Sequence, residues 1–232
     1  IDPGMPRMYR AHLTGDEDTI AAIKSWSKDA GHFDAVRREA HVLRAFSHPC
    51  LPELFDFGLL FHEDIVWIAT AWFDGITLVD RLMEGPMDPG EACRLVHGIA
   101  NALAHVHEHG VVHRDINPTK IVLADDGIPK LVGFEYAMDA EEMAEVDIAP
   151  VGAISYAAPE LMLEDQEHGP KSDLYALGVV FYEALTNLPA CPAALVEDPE
   201  RQKEHMLSHK RWADPLDPGE SFPAWLRDLI RL

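Results

Sequence analysis

The sequence predicts an α+β protein in two lobes, a small strand-rich one followed by a larger helical one. Apolar runs of strand length dominate up to about residue 73, and apolar stripes at helical spacing dominate beyond it. The 232 residues are 47% hydrophobic and 25% charged, which supplies enough apolar mass for a sizeable core.

In the first lobe (1–73), TIAAI (19–23) reads as a short apolar strand ending at Lys24. FDAVRREAHVLRAF (33–46) sets Phe33, Val36, Ala40, Leu43 and Phe46 at helical spacing, with charge on the other side. LFDFGLLF (54–61) and DIVWIATAWF (64–73) read as strands, and His62-Glu63 suits a tight hairpin between them. In the second lobe (74–232) the pattern turns helical. Asp88-Pro89-Gly90-Glu91 has an N-cap acid, proline at the first helical position and an acid at the third, the start of a capping box. Ala92, Leu95, Val96, Ile99, Leu103 and Val106 follow as one stripe, with Gly110 as the stop. Asp125-Asp126-Gly127 joins two short strands, 121–123 and 130–132. LYALGVVFYEAL (174–185) is apolar nearly all round, so it predicts a buried central helix, and PAWLRDLIRL begins an amphipathic one.

A net charge of −21 repels phosphate backbones and anionic lipid, so nucleic acid and membrane surfaces are poor partners. No apolar run approaches the roughly 20 residues that span a bilayer, and no secretory signal opens the chain. Cys50, Cys93 and Cys191 are odd in number and widely spaced, which argues against a disulfide framework and against a zinc site. A cytoplasmic location is the default expectation.

The order of motifs resembles the protein kinase family over nearly the whole chain. AIK (22–24) is similar to the strand carrying the nucleotide-contacting lysine, and Glu39 sits where the helix-C glutamate should. ATAWFDGITL (69–78) resembles the hinge, with Thr70 as gatekeeper. HRD (113–115) resembles the catalytic loop, AAPE (157–160) the end of the activation segment, and SDLYALG (172–178) the helix whose aspartate, here Asp173, braces the catalytic loop. Six motifs in the right order are a strong signal where one would be weak. SDLYALGVVFYEALTNLPA is similar to bacterial Ser/Thr kinases in particular.

The family's chemistry needs phosphates positioned in line and their charge neutralised, largely by magnesium on hard oxygen ligands. Those ligands are the aspartate of D-F-G and the asparagine five residues after the H-R-D aspartate. Here the first slot reads Gly133-Phe134-Glu135 and the second is Lys120. Both ligands are therefore missing, and an ammonium repels a cation. The substrate-side lysine two residues after Asp115 is Asn117, and the threonine that assists it is Ala153. The glycines of the glycine-rich loop fall near Pro3 and Pro6, and proline has no N–H to offer a phosphate. An alternative stays open, in which Glu135 reaches a metal by a shifted backbone, or Lys120 itself neutralises phosphate charge. If nucleotide binds, the resemblance places it against Lys24, Glu39, Thr70, Ala71 and Lys120, without magnesium. Asp115 then serves hydrogen bonding within its loop rather than as a base.

What is retained holds the fold. His113, Phe134 and Leu43 would stack with a strand residue into a spine between the lobes, Ala22 and Val122 fit a second stack, and Lys24 can pair with Glu39. Arg114 would normally catch a phosphorylated residue. EYAMDAEEMAEVD (135–147) has six carboxylates and no Ser or Thr, so one of them pairing with Arg114 would imitate phosphate; the alternative is a solvated acidic loop. His105 and His109 are i,i+4 on a helix, but H-E-x-x-H is missing and the helix dipole accounts for them. Trp67 and Trp72 read as core and hinge packing. The arginine that pairs with Glu160 in the family is not visible, so Glu160 needs another partner. The resemblance thus implies an inactive kinase-like domain, a fragment of a larger protein. It would take no cofactor and no metal, and would act on a protein partner or on another domain of its own chain. The competing expectation is a weak or unconventional phosphotransferase.

Overall fold

The structure is a computed structural model and describes residues 6–28, 30–139, 154–162, 169–190, 201, 204, 206–208, 210 and 216–230. The first lobe is a four-stranded antiparallel sheet in the order β1-β2-β4-β3, built from β1 (Arg7–Leu13), β2 (Asp16–Ser27), β3 (Leu54–Leu60) and β4 (Ile65–Ala71), with α1 (Ala30–Ala45) packed on it. β2 runs for 12 residues, longer than TIAAI. Its acidic start is paired with the end of β1 and carries no apolar signal, while its far end pairs with β4 through Ser27↔Ile65. β1 (RMYRAHL) is almost wholly exposed, so no alternation marks it. The turn between β3 and β4 takes Phe61 to Asp64 rather than His62-Glu63 alone: Glu63 N–H donates to Leu60 O at 3.1 Å, and Asp64 has φ 50°.

In α1 the stripe is narrower than its spacing implies. Phe33 is 38% exposed, and Phe46 lies just past the helix end. Val36 and Ala40 bury against Val66 and Ile68 of β4. Leu43 and Phe46 face the other way, into the main core with Leu103, Val106, Ile121, Leu131 and Phe134. One helix thereby joins both lobes.

The second lobe holds β5 (Gly75–Thr77), α2 (Leu78–Leu82), α3 (Pro89–Glu108), β6 (Val111–Val112), β7 (Ile121–Ala124), β8 (Pro129–Leu131), β9 (Met138–Asp139), α4 (Pro170–Thr186) and α5 (Ala224–Ile230). β5, β7 and β8 form one small sheet, β6 and β9 another. Asp88 caps α3 by accepting from Gly90 N–H at 2.9 Å and Glu91 N–H at 3.3 Å. The return leg of a capping box is replaced, since Glu91 pairs with Arg81 at 3.2 Å. Ala92, Leu95, Ile99, Ala102, Leu103 and Val106 bury, while Val96 is only partly covered. Gly110 ends the run at φ +76°. α4 is the central helix, although Leu174 near its start is 48% exposed. In α5, Leu226 and Ile230 point inward and Trp225 and Leu229 outward, the amphipathic pattern expected. Among the described residues no helix is long and apolar enough to cross a membrane.

Gly75 opens the second lobe at φ +145°, and a Cβ there would stand 2.2 Å from the carbonyl oxygen of Leu123. Gly75→Ala is expected to cost about 1–3 kcal/mol through backbone strain, read as a lower melting temperature by circular dichroism; an unchanged melt would contradict this.

Candidate functional site

Asp173, at the start of α4, is 1% exposed and organises the loop after β6. Its carboxylate accepts from the backbone N–H of His113 at 2.8 Å and of Arg114 at 2.9 Å, and meets His107 Nε2 at 2.8 Å. Arg114 adopts φ 69°, a left-handed conformation costly for a residue with a side chain, at the point where the chain turns around this acid. His113 is fully buried and crosses Phe134 edge-on at 4.5 Å. Phe134 meets Phe46 at 6.1 Å, and Leu43 and Leu54 belong to the same cluster. Burial pushes the His113 imidazole below its usual range despite the opposing pull of Asp173. A neutral ring suits its Nδ1, which accepts from Asp115 N–H at 3.3 Å.

Above this frame, five charged side chains form one chain across the cleft. Lys24, from β2, holds Glu39 of α1 through both oxygens, at 2.6 and 2.8 Å. The same ammonium lies 3.5 Å from Glu135 Oε2. Lys120 donates to Glu135 Oε1 and lies 3.3 Å from Asp115 Oδ2. Asn117 donates to Asp115 Oδ1 at 2.8 Å, and its own oxygen accepts from Thr119. Burial works against the charges of Lys24, Glu39, Lys120 and Glu135. It raises Glu39, with Lys24 opposing and Glu135 adding to the rise. Burial would likewise lower Lys24 and Lys120, but Glu39 and Glu135 lift the first, and Glu135 with Asp115 lifts the second. For Glu135, burial is outweighed by Lys24 and Lys120, which bring its carboxyl down to about 2.

These residues do not fit a magnesium ion held against a triphosphate. Gly133 has no donor, and its φ is +83°. A Cβ at that position would lie 2.6 Å from Lys120 Cδ and 2.9 Å from its Nζ. The lysine chain thus fills the space in which an aspartate would start, and its ammonium faces the carboxylates a metal would need. Glu135 turns to two lysines rather than to a cation site. Pro6 is exposed; Pro3 and Ala153 lie outside the described residues.

Arg114 donates to Tyr136 O at 3.4 Å, and Arg38 donates to Glu135 O at 3.4 Å. Glu135 is committed to the lysines and Asp139 lies in β9, while the other four carboxylates of the acidic stretch, at 141, 142, 145 and 147, lie outside the described residues. Glu160 does find a partner, Ser172 Oγ donating at 2.9 Å. Thr70 is buried at the end of β4, and Ala71 N–H donates to Glu53 O. Trp72 Nε1 donates to Asp74 at 2.9 Å with Arg10 over its ring, while Trp67 lies against Gly58. Ala22 and Val122 are half-buried. His105 and His109 pack around Phe46, and among the described residues no three His, Cys, Asp or Glu are arranged to hold a metal.

Lys210 is a residue the sequence did not single out. Its ammonium collects the carbonyls of Ile154 at 3.1 Å, Ser155 at 2.9 Å and Ala157, and lies over the Tyr175 ring. Tyr156 donates to Glu183 at 2.5 Å, and burial and Glu183 together raise its phenol. Ala157, Ala158 and Leu161 form a small core of their own with Leu207 packed on it. The segment before α4 is thereby pinned from several sides.

With this geometry in view, the protein kinase domain family matches residues 7–231. Serine/threonine-protein kinase PrkC of Bacillus subtilis (strain 168) is 31% identical over 192 residues, covering 79% of this chain and 28% of that protein. Serine/threonine-protein kinase pkn2 of Myxococcus xanthus is 32% identical over 164 residues, covering 68% and 19%. Serine/threonine-protein kinase PknB of Mycobacterium tuberculosis (strain ATCC 25618 / H37Rv) is 31% identical over 198 residues, covering 80% and 32%. The chain therefore spans less than a third of the length of these relatives.

Two outcomes are expected. Lys210→Met should speed hydrogen exchange of the amides at 154–161 while leaving α3 protected, and Lys210→Arg should restore part of the protection; exchange unchanged in the methionine variant would contradict the tether. The second concerns acid. A carboxyl lowered on folding stabilises at pH above its unfolded value near 4.5 and loses that contribution as pH falls toward its folded value of about 2. The stability advantage of the parent over Glu135→Gln should therefore be full at pH 7, on the order of a few kcal/mol, and shrink below about pH 4.5. A gap constant with pH would contradict it.

Proposed function

We propose, from the premise that the chain belongs to the protein kinase family, that this domain is a pseudokinase acting by protein contact. The observation that carries the proposal is Lys120: its ammonium stands between Asp115 and Glu135, beside a glycine in place of a metal-binding aspartate. Phosphoryl transfer depends on positioning and on neutralising charge at the phosphates. Here the positive charge is tethered to the protein and already engaged by carboxylates. Asp115 has lost its use as a base, since Asn117 and Lys120 hold both of its oxygens.

The domain presents its surfaces to a protein partner, or to another domain of its own chain, in the cytoplasm. It needs no cofactor, and any nucleotide it takes binds without magnesium. A second reading, a phosphotransferase with a non-standard metal site, is favoured by the intact Lys24–Glu39 pair and by relatives named as serine/threonine-protein kinases.

Thermal-shift titration with ATP, with and without magnesium, beside a radiolabel transfer assay, separates the two. The pseudokinase reading expects no magnesium-dependent shift and no label transferred. A magnesium-dependent shift accompanied by transfer would establish the enzyme instead.

A further inference from the structure

We infer that Glu135 is the built-in ligand of this cleft: its carboxylate occupies a seat, between Lys24 and Lys120, that fits an oxyanion of the phosphate class, and by sitting there it clasps the lobes without any ligand. The inference rests on the reading above, that the cleft does not seat a metal–nucleotide pair, and adds what fills it instead.

The geometry is that of a bound anion. Each oxygen of Glu135 faces a different ammonium, Oε1 that of Lys120 and Oε2 that of Lys24. The two lysines come from opposite lobes, Lys24 from β2 and Lys120 from the turn before β7. Glu135 itself hangs on the loop between β8 and β9, so its bond to Lys24 crosses the cleft. Its backbone carbonyl makes a second crossing by accepting from Arg38 of α1.

Each lysine also has a carboxylate of its own, Glu39 for one and Asp115 for the other. Removing the Glu135 side chain would therefore leave two ion pairs in place, with an N–H of each ammonium directed at a shared void. Buried donors left without an acceptor are costly. A small anion with two or more oxygens can bridge them as Glu135 does. A divalent cation cannot, because the donors facing the void are positive. In the parent the seat is taken by a side chain already in place, with which any dissolved anion must compete.

The test is chemical rescue. Thermal melts would be run on the parent, Glu135→Ala, Glu135→Ser and the double variant Glu135→Ala/Lys120→Met, each with 0 to roughly 10 mM pyrophosphate in the presence of chelator, the ionic strength matched with chloride because added salt screens charge. Glu135→Ala should melt several degrees below the parent, and pyrophosphate should recover at least half of that loss. The parent and the double variant should not respond. Should the alanine variant fail to fold, Glu135→Ser also empties the seat while keeping a short polar side chain, and is expected to respond in the same direction. The inference is overturned if neither single variant responds, or if pyrophosphate shifts the parent equally. Running ATP with chelator beside pyrophosphate distinguishes the source: an equal shift means the phosphates alone are read, and a larger one means that the base contributes as well. Both outcomes place the oxyanion in the seat. A magnesium-dependent transfer by the parent would defeat the pseudokinase reading, whereas silence in the rescue defeats only this inference.

Discussion

The ammonium of Lys120 between Asp115 and Glu135 is the contact on which the rest of the cleft depends. All three side chains are largely buried, and a charge so placed survives only if paired. Glu135 also meets Lys24, at 3.5 Å, and Lys24 holds Glu39 at 2.6 Å. The chain of charges is therefore one object with two lysines and three carboxylates, and a change at any member alters the pairing of the next. Lys120 and Gly133 are neighbours in space: a Cβ at Gly133 would meet the end of the lysine chain, and its φ of +83° favours glycine besides.

Beneath the cleft the scaffold is intact. Asp173 gathers two backbone N–H groups and a histidine, His113 and Phe134 stack, and Leu43 carries the stack into α1. None of these contacts involves the side chains that a metal would use. A fold built this way can exchange the chemistry of its cleft for internal pairing and keep its shape. The segment at 154–161 is held by Lys210, Tyr156 and Glu160, so its conformation is set by side chains of this lobe.

Much of this was legible in the sequence, and the reason differs by residue. Lys24, Glu39, His113, Phe134 and Asp173 are legible because their motifs keep fixed spacings; the structure pairs Lys24 with Glu39, sets His113 on Phe134 and holds the His113 amide on Asp173. Asn117 and Lys120 were noticed as departures, but their new partners were not foreseen. The bond from Lys24 to Glu135 joins residues 111 apart, and no periodicity reports such a pair. Lys210 was invisible for the same reason, since its partners are backbone carbonyls more than 50 positions earlier. β1 was missed because its two faces are nearly equally exposed, which removes the alternation by which a strand is read. Phe33 misled in the opposite sense, as helical spacing assigns a face but not how far the covering sheet extends.

On the proposed reading, Lys120 stands in for a metal ion. This is tested most directly by electron paramagnetic resonance of manganese(II) titrated, with a non-hydrolysable ATP analogue, into the parent, Gly133→Asp, Lys120→Asn and the double variant carrying both changes. Manganese should be bound by the double variant and by neither the parent nor Gly133→Asp, where the lysine side chain remains. Manganese held by the parent, or by Gly133→Asp as firmly as by the double variant, would contradict it.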